Sequence, residues 1–123
     1  MPRALLIDDE ELWRELLREG FEGIGYEVLD APDGEAGVKL LDKTAVDLVV
    51  TDIVMPEQDG LGAIRAIKKE HPEIRIIAYS GGGRVAPDSY LVLAQKFGAD
   101  RTFTKPLDLS ELLATARDLI GEV

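Results

Sequence analysis

Asp8 and Asp9, Asp52, Ser80 and Lys105 lie at or just beyond the ends of four separate apolar runs, at residues 4–7, 48–50, 74–78 and around Phe103. Three carboxylates held close together repel one another, so either one takes up a proton or a hard divalent cation occupies the space between them. Mg2+ suits a site that offers few carboxylates and leaves room for water, and Mn2+ can substitute for it. A hydroxyl at Ser80 can bond an anionic oxygen. The Lys105 ammonium, on its flexible stem, can pair with a charged group added to Asp52. Such a set is what phosphoryl transfer to an aspartate requires: positioning, charge neutralisation and an oxygen nucleophile.

Residues so distant in sequence meet only if the fold brings the strand ends together. Short apolar runs at 4–7, 26–29, 48–50, 74–79 and 102–104 alternate with segments of helical period at 11–19, 34–41, 61–69, 89–97 and 109–120. Five strand-helix units predict a flavodoxin-like doubly wound α/β fold, a parallel sheet in the order 2-1-3-4-5 with helices on both faces. Leu5-Leu6-Ile7 and Leu48-Val49-Val50 are apolar at every position, as strands covered on both faces must be. In that order the first and third strands lie side by side, about 5 Å apart, and Lys105 stands roughly 10 Å from Asp52. The helices carry single apolar stripes: Trp13, Leu16 and Leu17; Leu61, Ile64 and Ile67; Leu109, Leu112, Leu113, Ala116 and Ile120. Asp108 with Glu111 resembles a capping box, Gly20, Gly98 and Gly121 fall where helices should stop, and Pro72 closes the third helix.

Composition narrows the classes further. The 123 residues, 46% apolar and 31% charged, predict one domain over 1–123. A formal charge of -10 argues against nucleic acid or an anionic membrane as partner. With no Cys, disulfides and thiolate chemistry are excluded, and the sequence offers neither a signal-like stretch nor a long apolar span; the expected address is cytoplasmic.

The motifs Ile7-Asp8-Asp9-Glu10, Asp52-Ile53-Val54-Met55-Pro56 with Asp59-Gly60, Ser80-Gly81 and Thr104-Lys105-Pro106 together resemble the receiver domain of two-component response regulators, from the first strand to the last helix. The resemblance implies that Asp52 accepts phosphate from a phosphohistidine on a sensor histidine kinase or phosphotransfer protein. It implies that Asp9, Asp52 and the Val54 carbonyl ligate Mg2+ while Asp8 acts through water. Ser80, Lys105 and the Gly81 backbone would hold phosphate oxygens, and Asp59-Gly60 would shape the loop and cap the third helix. The Lys105-Pro106 bond is a candidate cis peptide. A downstream protein target is implied, with a phosphorylation-dependent homodimer as one form it could take. The resemblance implies signalling machinery that catalyses its own phosphorylation and slow dephosphorylation, not a metabolic enzyme.

Two positions depart from the family pattern. The aromatic expected three residues before the Lys is Thr102, with Phe103 next to it facing the core, and Ser80 leads into Gly81-Gly82-Gly83, a loop with unusual backbone freedom. Thr102, Gly82 and Gly83 therefore define the region where switching would differ. Val54 and Gly82, at positions that the resemblance implies tune hydrolysis, offer no polar group to orient an attacking water, which predicts a long-lived phosphoryl group.

Each residue alone has a plainer reading. Acidic pairs usually cap helices or face water, Ser80 alone is a turn residue, and a Lys before Pro is a surface charge. Their joint placement favours the site. His71 reads as a surface residue complementing a helix dipole, Trp13 as core, and Gly20, Gly23 and Gly25 lack dinucleotide-binding spacing. Glu10 and Glu11 favour the first helix N-terminus, with Glu10 a minor candidate for the metal's outer shell. A second reading is a phosphorylation-independent pseudo-receiver that acts as an adaptor. A third, a haloacid-dehalogenase-type phosphatase, needs a second Asp where the chain has Val54.

Overall fold

The computed structural model describes residues 1–53, 60–80, 88–104 and 108–121, without the side chains of Asp88 and Ser89. Five strands and five helices alternate: β1 (Arg3–Ile7), α1 (Glu11–Gly23), β2 (Glu27–Ala31), α2 (Gly34–Leu41), β3 (Leu48–Asp52), α3 (Gly60–Glu70), β4 (Arg75–Tyr79), α4 (Asp88–Phe97), β5 (Arg101–Phe103) and α5 (Leu109–Ile120). All strand pairs are parallel, in the expected order β2-β1-β3-β4-β5.

The apolar runs feed two cores, because successive side chains of a strand point to opposite faces. Leu5, Ile7, Val49, Ile76 and Ala78 face Leu41 of α2, Leu61, Ile64 and Ile67 of α3 and Ala94 of α4. Ala4, Leu6, Leu48, Val50, Ile77 and Tyr79 face Leu17 and Phe21 of α1 and Leu112 and Ala116 of α5. That accounts for runs with no polar alternation.

Two readings of α1 are corrected. The helix does not stop at Gly20 but runs on to Gly23, and the chain turns at Gly25, whose φ is +96°. Gly20 instead serves packing: a Cβ there would meet the Leu109 methyls at 3.3 Å, so its absence lets α5 approach. Leu16 is 44% exposed and does not share the buried stripe; α1 buries Leu17 and Phe21. Gly98 and Gly121 do end helices, with φ of +126° and +97°. Asp108 caps α5 by accepting from the Glu111 N–H, and Asp33 caps α2 through the Ala36 N–H.

Asp100, just before β5, clamps the far edge of the sheet. It accepts from the Ile76 N–H at 2.8 Å and pairs with Lys68 at 3.3 Å and Arg75 at 3.1 Å. Burial works against its charged form, but these donors outweigh that and hold the carboxyl below the ordinary range. The sign follows from linkage: stability from Asp100 is present above the unfolded value, about 3.9, and is lost as pH falls through the lower folded value. Asp100→Ala should cost about 1–3 kcal/mol in urea unfolding at neutral pH, and the gap to the parent protein should close in strong acid.

Candidate functional site

The parity of the strands selects which side chains meet at the carboxyl edge. Asp52 ends β3 on the same face as Leu48 and Val50, and it stands in register with Tyr79 at the end of β4. Asp8, one residue past β1, has the parity of Ala4 and Leu6. A carboxylate oxygen from each of Asp8, Asp9 and Asp52 falls within 4.8 Å of the others. Asp8 is 1% exposed and Asp52 fully buried, while Asp9 stands at the rim. The sheet thus buries two carboxylates beside a third.

Local chemistry holds Asp8 in place. One of its oxygens accepts from the Glu10 N–H at 2.8 Å, the other from the Tyr79 hydroxyl, and its carbonyl accepts from Arg14 Nη1 at 2.6 Å. Burial pushes the Asp8 carboxyl up, against the lowering effect of the Tyr79 and Glu10 bonds, and the neighbouring charges of Asp9 and Glu10 push it further the same way. This is the electrostatic strain expected where carboxylates are gathered for a cation. Three hard oxygen donors with an open rim fit Mg2+, which keeps several waters of its own. Glu10 occupies the α1 N-cap position but makes no side-chain cap bond.

Gly60, the first residue of α3, lies directly under the end of β3. A Cβ there would fall 2.2 Å from the Asp52 carbonyl oxygen and 2.7 Å from the Ile53 Cα. Only glycine lets α3 start so close to the Asp52 main chain.

Ser80, 8% exposed, follows Tyr79 at the same edge, and its N–H bonds the Phe103 carbonyl at 3.2 Å. Phe103 packs against the α1–α5 core as expected, and Thr102, half-buried, accepts from Gln95 Nε2 of α4 at 3.3 Å. Val54, Asp59, Gly81, Gly82, Gly83, Lys105 and Pro106 lie outside the described residues. Trp13 packs on the α1–α5 core, and its side chain adjoins the Tyr79 hydroxyl. His71, just past α3, stands 3.9 Å from Glu73, as a surface residue. Tyr79 is the site residue that sequence reasoning missed. Its signal was a polar-tipped aromatic at the end of an otherwise aliphatic strand, one residue before the hydroxyl.

No helix among the described residues is long and apolar enough to cross a membrane. A family model described as the response regulator receiver domain matches residues 4–117. A probable transcriptional regulatory protein of Picosynechococcus sp. is 34% identical over 125 residues, an alignment covering 96% of this chain and 49% of that protein. The chain thus spans about half the length of such curated relatives. A CheY-like receiver domain from Methanospirillum hungatei superposes with a TM-score of 0.89 at 24% identity, covering 96% of this chain and 92% of that one. A response regulator from Burkholderia pseudomallei, solved with a phosphorylated aspartic acid, a calcium ion and citrate, superposes with a TM-score of 0.83 at 29% identity, covering 93% and 65%. With its five-unit parallel sheet and its acidic edge, the chain belongs to the response regulator receiver domains, which are signalling switches.

Proposed function

We propose that Asp52 accepts a phosphoryl group from a phosphohistidine of a sensor histidine kinase or phosphotransfer protein, in a reaction that requires Mg2+ or Mn2+. The observation that carries this reading is the gathering of Asp8, Asp9 and Asp52 within 4.8 Å at the end of β3, with the acceptor itself buried. The Burkholderia relative, with its phosphorylated aspartic acid and calcium ion, supports it. An Asp52 oxygen attacks phosphorus, the phosphorus–nitrogen bond breaks, and its electron pair returns to the imidazole of the donor. Asp9 and Asp52, with the Val54 carbonyl, would hold the cation, whose charge neutralises the transferring group. Asp8, with both oxygens already accepting, would act through a cation-bound water. Ser80, Lys105 and the Gly81 N–H would receive the phosphate oxygens.

The acyl phosphate adds about one negative charge and new acceptor oxygens. Their pull on Ser80 and Lys105 would bias the segment around Gly82 and Gly83, α4 and Thr102, and so change the surfaces that a cytoplasmic partner reads.

Acetyl phosphate supplies the test without a kinase. Label should enter the protein only with Mg2+ or Mn2+ present and should persist, because Val54 and Gly82 bring no polar side chain to an attacking water. Mg2+ at a hundred times its dissociation constant should also raise the unfolding free energy by roughly 2.7 kcal/mol. Absence of label, or label indifferent to chelation of the metal, would refute the assignment.

A further inference from the structure

We infer that Tyr79 is a positioning residue of this site: its hydroxyl fixes the Asp8 carboxylate as the outer-sphere partner of the divalent cation. The inference rests on the phosphoacceptor reading above and extends it to a residue of the fourth strand. Tyr79 is fully buried and in register with Asp52, and its hydroxyl extends across the edge of the sheet to Asp8. The ring is fully buried as part of the α1–α5 core, so the hydroxyl has little freedom to seek another acceptor.

Donation to the charged form of a buried carboxylate favours that form. The bond from Tyr79 therefore supports the carboxylate that the cation requires of Asp8. With the Glu10 N–H on the other oxygen, Asp8 is gripped at both ends, and its remaining lone pairs are aimed by the protein. Groups that orient a metal's partners through hydrogen bonds are commonly worth 10–100-fold in affinity.

Tyr79→Phe keeps the ring and removes only the donor. Metal affinity is measured by calorimetry or by fluorescence of Trp13, the single Trp, whose side chain adjoins the Tyr79 hydroxyl. We expect Mg2+ affinity to fall about 10–100-fold, with labelling by acetyl phosphate recovered at saturating Mg2+, since Asp52 is untouched. In an Asp8→Asn background the same change should have a much smaller effect. Unchanged affinity in Tyr79→Phe, or an equal loss in the Asp8→Asn background, overturns the inference while leaving the phosphoacceptor reading intact. A parent protein that takes up no label sinks that reading instead. A measurement on the unmutated protein guards against a folding defect: the slowly exchanging Tyr79 hydroxyl proton should shift its NMR resonance when Mg2+ is added. A resonance indifferent to Mg2+ also overturns the inference.

Discussion

Asp52→Asn should take up no label from acetyl phosphate or from a phosphorylated kinase while retaining the fold. The substitution keeps the shape of the side chain and exchanges a nucleophilic carboxylate oxygen for an amide. It also removes one charge from a group of three buried or half-buried carboxylates, so like-charge repulsion in the metal-free protein falls. Its melting temperature without metal should therefore equal or exceed that of the parent. Mg2+ should bind more weakly, because one of the anionic oxygens gathered at the edge is gone. Intact-mass spectrometry after incubation with acetyl phosphate and Mg2+ gives the answer. A phosphoryl adduct on the Asn protein would transfer the acceptor role to another side chain.

Gly60→Ala should damage the site from beneath. A Cβ 2.2 Å from the Asp52 carbonyl oxygen cannot be absorbed by rotating a side chain, because both partners are main chain. Either α3 retreats from β3 or the end of β3 is pushed outward. Overpacking of this kind costs about 1–3 kcal/mol. Displacement of an acceptor by about 1 Å can cost on the order of 100-fold in rate, so labelling should slow far more than the loss of stability alone would suggest. Gly62→Ala is the matched control, since nothing lies within 4 Å of a Cβ there. Comparable labelling rates in the two variants would show that the acceptor's position does not depend on the start of α3.

The parallel, doubly covered sheet was legible because apolar runs without polar alternation demand cover on both faces, and the spacing between them left room for one helix each; its strand order followed from the flavodoxin-like fold and not from the runs themselves. The acidic trio was legible because strand ends in a parallel sheet share an edge. What escaped depended on three-dimensional neighbours. Gly20 carried the signal of a helix stop, yet its missing Cβ serves the approach of α5. Leu16 has the right spacing for the buried stripe of α1, but the helix is rotated so that Leu17 and Phe21 take the core. Tyr79 looked like one more apolar residue of β4, and only the register of that strand with β3 shows that it stands beside Asp52 and that its hydroxyl reaches Asp8.

Asp52 is wired to its two flanking layers by different kinds of contact. Towards α1 and α5 its surroundings are side chains, Tyr79 and through it Asp8 and Trp13, so that layer can be retuned by exchanging one functional group for another. Towards α3 the coupling is backbone against backbone at Gly60 and leaves no such latitude. Sequence drift in this chain has chemical freedom on one side of its sheet and only steric veto on the other.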